Sequence, residues 1–246
     1  VSGLMGILAH KLIDSGFTGE ADGLQTVFGS VVSETFVPEA LIDGLGTRFE
    51  IARNYFKQYA CCRYNHGTLD ALQDIASRLP RKRIVPEEVA KIEVSTYSLA
   101  AQLSSQTPKN TLAAKFSIPF AVATFIVNGH AGISAFTPEM VKNEHIQSLA
   151  AKVTVREDPD LTAMMPSKRP SRVRITFTDG REIEAETFVN KGDLEDPYTD
   201  DELQQKYYAL TASTWGKAVA EHVFSQIMAL ENVQDMTQVT ILLVPL

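Results

Sequence analysis

The sequence has few of the features that mark secreted, membrane or nucleic-acid-binding proteins. Its only two cysteines, Cys61 and Cys62, are adjacent, so neither a structural disulfide nor a four-ligand zinc site is expected. The best candidate for a membrane span, 118–127, is about half the roughly 20 residues that a bilayer requires. Lys and Arg number 23 against 30 Asp and Glu, and this net charge of −7 argues against nucleic-acid binding. We therefore expect a cytoplasmic protein without a membrane or nucleic-acid partner.

What is present is typical of a globular chain. Its 246 residues are 44% hydrophobic and 22% charged, which indicates one or two folded domains. The chain begins with Val1 instead of Met and enters a helical pattern at once. We therefore predict that it is a piece of a longer protein, cut within a folded region.

Apolar periodicity predicts the order of the elements. Thr199 and Glu202 form a capping box that opens further helices. Alternation of apolar and polar residues predicts strands at 92–96 and 153–155. The apolar tail 239–246 fits either a strand or a docked end. Helical spacing predicts helices over 4–12, 69–79, 113–127 and 137–149.

A hairpin is predicted around Asp179-Gly180. A two-residue turn would set Phe177 opposite Glu182, which would bury a charge against an aromatic ring. We therefore expect a three-residue loop or a bulge that pairs Phe177 with Ile183. The outer face of this hairpin would then bring arginines close to glutamates, namely Arg172 and Arg174 near Glu184 and Glu186.

The order of helices, then strands with helices, then helices again predicts an α+β protein. The simplest layout is a helical domain remnant over 1–56, an inserted α+β lid-like domain over 57–191, and helices over 192–246 that return to the first domain. The polar segment 190–199 resembles a linker between the last two parts. A single α+β domain is the alternative.

The densest cluster of reactive side chains lies at 57–67, where the first two predicted regions meet. It combines a Lys, two Tyr, two Cys, an Arg and a His within eleven residues. Lys and Arg can bind carboxylates, and His or Tyr can move protons. From composition alone, a surface turn with a buried histidine would look the same.

This segment, Lys-Gln-Tyr-Ala-Cys-Cys-Arg-Tyr-Asn-His-Gly, resembles the hallmark of the MmgE/PrpD family. Two further parts of the chain are similar to other family segments, namely 6–9 with 16–19, and Ala-Lys-Phe-Ser-Ile-Pro-Phe-Ala-Val-Ala at 114–123. The resemblance covers essentially the whole chain. Members include 2-methylcitrate dehydratases, cis-aconitate decarboxylases and iminodisuccinate epimerases.

The resemblance implies a helical domain with an α+β lid, an active site in the cleft between them, and a homodimer. It also implies proton transfer beside a carboxylate of a small polycarboxylic acid, without metal or organic cofactor. A large N-terminal helical domain would precede this chain. We therefore predict a lyase similar to 2-methylcitrate dehydratase. Epimerase or decarboxylase chemistry is the alternative within the family, and a non-catalytic oligomerisation domain is the alternative outside enzymology.

Site residues follow from the matched motif positions. The resemblance assigns catalytic roles to Lys57 and His66. Three neighbours, Tyr59, Arg63 and Lys115, are expected to bind substrate. Phe120 stands where many members have Tyr, so a proton donor at that position would be missing here.

Overall fold

The structure, a computed structural model, describes residues 1–243. These residues form two compact units, and the division falls between Arg53 and Asn54. Among the described helices, none has the length and apolar character needed to cross a bilayer. The predicted packing of residues 192–246 against residues 1–56 stays a prediction.

The first unit is helical and has no buried core. It contains α1 (Ser2–Asp14), a π-helix (Gln25–Val32) and two 3₁₀ turns (Pro38–Leu41 and Glu50–Arg53). Helix α1 confirms the predicted first helix. No residue of this unit is buried, and Ile7 and Phe28 are 59% and 50% exposed. Its apolar side chains therefore contribute little burial free energy within the described residues.

The second unit is an α+β structure, which confirms the predicted fold class. Its strands are β1 (Val89–Thr96), β2 (Val153–Glu157), β3 (Ser171–Phe177) and β4 (Glu182–Thr187). Its helices are α2 (His66–Arg78), α3 (Ser98–Ala101), α4 (Thr111–Lys115), α5 (Ile118–Asn128), α6 (Pro138–Lys142), α7 (Glu144–Ala150), α8 (Pro159–Thr162), α9 (Asp200–Trp215), α10 (Lys217–Met228) and α11 (Thr237–Thr240).

The four strands form one mixed sheet with the order β2-β1-β3-β4. Strand β1 runs parallel to β2 and antiparallel to β3, so Ile92 lies between Val153 and Ile175. Helix α2 packs on β3 and β4, and α5 packs on α2, α7 and β2. The inward faces are fully buried, and each buried Leu or Ile contributes about 1.5–3 kcal/mol. This core fixes α2 and therefore the segment that leads into it.

The β3–β4 hairpin has the predicted loop length but not the predicted pairing. Its loop is 178–180, and the Phe177 N–H donates to the Arg181 oxygen at 2.8 Å, so Phe177 does not pair with Ile183. Gly180 is the last loop residue and has a φ of +86°, which glycine adopts without strain. The loop therefore closes with Arg181, and not Ile183, opposite Phe177. The Arg181 guanidinium lies 5.2 Å from the centroid of the Phe177 ring and covers it. The predicted outer pairs Arg172–Glu186 and Arg174–Glu184 are present.

Two predicted long helices are interrupted. The helix expected over 113–127 ends at Lys115 and restarts after Ser117, whose hydroxyl accepts from the Phe120 N–H at 3.0 Å. Pro119 lacks an N–H and suits the first turn of the new helix. The helix expected to continue to 149 breaks at Asn143, which caps α7. The first interruption exposes Phe116 on the surface and leaves Lys115 at a helix end.

The C-terminal helices agree with the predicted capping box. The Thr199 hydroxyl accepts from the Glu202 N–H, and Glu202 accepts from the Thr199 N–H at 2.8 Å, which opens α9. In the tail, Val239 is buried in α11 and a 3₁₀ turn follows at Ile241–Leu243. Within 239–243 no strand is present and Val239 is the docked residue, whereas Ile241 is 71% exposed. The rest of the predicted tail, 244–246, lies outside the described residues.

Candidate active site

The first part of the motif, 57–62, is an irregular segment that runs into α2 through a 3₁₀ turn at Arg63–Asn65. Backbone hydrogen bonds fix it on two sides. The Ala60 N–H donates to the Ala131 oxygen, and the Cys62 N–H donates to the Lys115 oxygen, each at 2.9 Å. The second of these bonds brings the 114–123 segment against the motif.

Three of the predicted site residues line one cavity of about 270 Å³, which we call the lysine pocket. They are Lys57, Tyr59 and Lys115. No Asp or Glu lines this cavity, and neither lysine forms an ion pair with a carboxylate among residues 1–243. The Lys57 Nζ has only a 3.5 Å contact with the Cys61 oxygen. The complete lining is Lys57, Tyr59, Ala60, Cys61, Cys62, Lys115 and Phe116.

The charge of the lysine pocket suits an anion. Two ammonium groups without carboxylate neighbours are strong point charges for a small polycarboxylate. A concave surface of one sign also raises the local concentration of ligands of the opposite sign. The geometry therefore supports carboxylate binding by Lys57 and Lys115.

A larger cavity of about 400 Å³ shares Tyr59 with the lysine pocket and has the opposite charge. Four carboxylates and one lysine are its charged lining residues, namely Asp70, Asp74, Asp196, Glu202 and Lys191. Like charges repel, so this acidic cavity disfavours a polycarboxylate. The smaller lysine pocket is therefore the better candidate.

Arg63 is placed away from the lysine pocket. Its side chain is 7% exposed, and its guanidinium donates to Asn190 Oδ1 and to Asp193 Oδ1. The guanidinium also lies 4.8 Å from the centroid of the Tyr55 ring. These contacts tie the 190–193 loop to the motif. In this arrangement Arg63 is a structural anchor, and its substrate-binding role stays a prediction.

His66 is buried at the first position of α2, with 1% of its surface exposed. Burial, reinforced by the positive charges of Arg63 and Lys57, lowers the pKa of His66 to about 3. The ring is therefore neutral at pH 7, and its Nε2 has no hydrogen-bond partner among the described residues. Tyr59 connects it to the pocket, because the two rings meet edge to face with centroids 5.1 Å apart. The catalytic role of His66 stays a prediction.

Asp70 lies outside the lysine pocket but holds Tyr59 of its wall, and the sequence did not predict it. Its Oδ1 accepts from the Tyr59 hydroxyl at 2.8 Å, and its Oδ2 accepts from Asn190 Nδ2 at 3.0 Å. Burial raises the pKa of Asp70, and burial together with the Asp70 charge raises the pKa of Tyr59. The Tyr59 hydroxyl therefore stays protonated and hydrogen-bonded to Asp70, and Tyr59 forms part of the wall of the lysine pocket. Asp70 lies four residues after His66 on one helix, a spacing that could have revealed it.

Phe120 does not reach the lysine pocket. It is 1% exposed in α5 and packs against Phe136, with ring centroids 6.0 Å apart. Within the described residues no three His, Cys, Asp or Glu side chains form a group that could hold a metal ion.

The fold and the pocket together define a class of protein: an α+β unit in which a Lys-x-Tyr-Ala-Cys-Cys motif and an Ala-Lys-Phe-Ser motif present two lysines to one cavity. Residues 59–230 match the MmgE/PrpD C-terminal domain, and the chain belongs to the MmgE/PrpD family.

Curated relatives agree at low identity. A cis-aconitate decarboxylase of Aspergillus terreus is 22% identical over 249 residues, which cover 94% of this chain and 51% of the relative. The cis-aconitate decarboxylase-like protein oryM of Aspergillus oryzae is 22% identical over 235 residues, which cover 90% of this chain and 47% of that protein. The chain thus spans about half the length of the curated relatives that it matches.

Proposed function

We propose that the full-length protein is a cofactor-independent lyase that acts by proton transfer next to a carboxylate of a small polycarboxylic acid. The observation that carries this proposal is the lysine pocket, where Lys57 and Lys115 face one cavity without a carboxylate partner among residues 1–243. Family membership supports the same class of substrate.

Each side chain has a distinct part in this proposal. The two ammonium groups bind carboxylates and stabilise negative charge that develops beside them in the transition state. Tyr59 forms the wall against which the substrate is oriented, because Asp70 holds its hydroxyl. His66 is proposed to relay a proton through Nε2, which has no hydrogen-bond partner among the described residues.

Two reactions fit this pocket equally well in electrostatic terms. Dehydration of a 2-methylcitrate-like acid is the reaction that the motif resemblance favours. Decarboxylation of a cis-aconitate-like acid is supported by the names of the relatives. Both build negative charge next to a carboxylate, so the shape of the pocket decides between them and the lysines do not.

We also propose that this chain is the C-terminal part of a cytoplasmic homodimer with an N-terminal helical domain. The first unit supports this, because large apolar side chains such as Phe17 and Ile51 are 64% and 77% exposed. Helices with uncovered apolar faces require a partner. The isolated 246-residue chain should therefore self-associate and bind a hydrophobic dye. A monomer by light scattering that also fails to bind the dye would contradict this.

The activity can be tested with the full-length protein and a panel of 2-methylcitrate, citrate, cis-aconitate and iminodisuccinate. Carbon dioxide release reports decarboxylation, the ultraviolet absorbance of a new conjugated double bond reports dehydration, and chiral analysis reports epimerisation. The double variant Lys57→Gln/Lys115→Gln should lose turnover, whereas Lys109→Gln, an exposed lysine outside the pocket, should keep it. Unchanged turnover in the double variant would refute the pocket assignment. A folded dimer that turns over none of these acids would favour the non-catalytic alternative.

A further inference from the structure

The two adjacent cysteines differ in their surroundings. Cys61 is 5% exposed, and burial raises the pKa of its thiol to about 12. Both cysteines line the lysine pocket, but Cys62 is only partly buried. A thiol that is buried and protonated is a poor nucleophile, whereas a partly exposed thiol in an electropositive site is the typical reactive one. Of the two, Cys62 is therefore the reactive candidate.

The lysine pocket supplies the electropositive site. Lys57 and Lys115 line the cavity together with Cys62, and no acidic residue contributes to its lining. The Cys62 N–H donates to the Lys115 oxygen at 2.9 Å, so the backbone of Cys62 is fixed against that of Lys115. A small molecule whose carboxylate is bound by these lysines would lie within the same 270 Å³ cavity as the thiol.

We propose that Cys62 is a covalent modification site at which the lysine pocket selects small electrophiles that carry a carboxylate. The inference rests on the proposed function insofar as it uses the same affinity for carboxylates. It adds a reaction at sulfur that the lyase chemistry does not require.

The chemistry is a simple substitution or addition. With iodoacetate, Cys62 Sγ attacks the methylene carbon, the carbon–iodine bond breaks, iodide leaves, and the thiol proton goes to solvent. With an α,β-unsaturated carboxylate, Sγ bonds to the β-carbon, the π electron pair moves to the α-carbon, and this carbon takes up a proton. In both cases the carboxylate of the adduct stays beside the two ammonium groups.

The test compares a charged and a neutral reagent on the full-length protein. Iodoacetate and iodoacetamide deliver similar alkyl groups, and the rates at Cys62 are read by peptide mass spectrometry against free glutathione. We expect the iodoacetate-to-iodoacetamide rate ratio to be about tenfold higher at Cys62 than at glutathione, because a pocket of one charge concentrates the anion. The ratio should fall to the glutathione value in Lys57→Gln/Lys115→Gln and shrink at high ionic strength.

The adjacent cysteine provides the matched control. Cys61→Ser should keep the labelling and its charge preference, whereas Cys62→Ser should lose the label. Labelling mainly at Cys61 would overturn the inference. So would an iodoacetate-to-iodoacetamide rate ratio at Cys62 that equals the glutathione value, and this ratio can be measured on the wild-type protein alone.

A saturated tricarboxylate separates this inference from the proposed function. If tricarballylate binds by calorimetry and slows the labelling, both are supported. If tricarballylate binds and Cys62 shows no charge preference, the inference fails and the proposed binding site stands. If the preference is present and none of the polycarboxylates binds or turns over, the proposed function fails and the modification site stands.

Discussion

The motif 57–67 has an open half and a closed half, and the comparison shows that one cluster of reactive side chains can serve two purposes. In the open half, Lys57 and Cys62 line a cavity and the lysine has no carboxylate partner among residues 1–243. In the closed half, Arg63 and His66 are almost fully buried, and the arginine binds the 190–193 loop. The first half is suited to ligands, and the second holds the first in place.

Arg63 provides the largest test of this comparison. Arg63→Ala should lower the free energy of unfolding by about 3 kcal/mol, because Asn190 Oδ1 and Asp193 Oδ1 both lose the buried guanidinium that donates to them. Urea denaturation of the full-length protein measures this loss. Arg63→Lys keeps the charge but not the forked geometry and should recover only part of it. A loss below 1 kcal/mol would show that the closed half is not structural.

His66 gives a pH-dependent test of the same half. Its pKa is about 3 in the folded chain and about 6.5 when unfolded, so the unfolded state binds more protons as the pH falls below 6.5. Stability is therefore fully present above that pH and should fall by about 2 kcal/mol between pH 7 and pH 5. Urea denaturation at pH 7 and at pH 5 measures this difference, and His66→Gln should remove it. A slope unchanged in the variant would mean that another group titrates.

Lys57 tests the open half. Lys57→Ala should raise the Michaelis constant for the accepted acid by about tenfold, equivalent to the loss of about 1.4 kcal/mol of binding. A fall in turnover as well would mean that the ammonium group also stabilises the transition state. Because Lys57 is exposed, the free energy of unfolding should stay within about 0.5 kcal/mol. Lys109→Ala is the control for general charge, and equal effects of the two variants would remove Lys57 from the site.

Arg174 sharpens the comparison with the smallest expected effect. It binds Glu184 on the outer face of the sheet, with the same chemistry as Arg63 and Asp193 but in solvent. Arg174→Ala should cost about 0.2–1 kcal/mol of unfolding free energy, since exposed ion pairs are weak. The difference between the losses of unfolding free energy in Arg174→Ala and Arg63→Ala, measured by urea denaturation, would give the effect of burial. Equal losses would contradict the argument that burial makes the Arg63 contacts important.

Local signals in the sequence were enough to predict much of the fold. Strand alternation at 92–96 and the capping box at Thr199 and Glu202 depend on near neighbours, and both are confirmed. The break between Lys115 and Ile118 was missed because apolar residues predominate on both sides of it, although Ser117 followed by Pro119 is itself a helix-start signal.

Contacts between distant residues were beyond such reasoning. Asn190 follows Asp70 by 120 positions, and the polar segment 190–199 looked like a solvated linker. In the structure Asn190 is 1% exposed and bonded to Asp70 and Arg63. Polar composition alone does not distinguish a residue bonded to water from one bonded to the protein. The lysine pocket was accessible only through the family motifs, because Lys57 and Lys115 are far apart along the chain.

The bond between the Cys62 N–H and the Lys115 oxygen joins the two segments that carry Lys57 and Lys115. The side-chain amide of Asn65 donates to the same oxygen at 3.1 Å. Two mobile loops would have to lose their conformational freedom each time a ligand arrives. Here that entropy is already lost when the chain folds, so the position of the Lys115 backbone against the motif is set in advance. Selectivity among acids should therefore follow the fixed separation of their carboxylates more than their total charge.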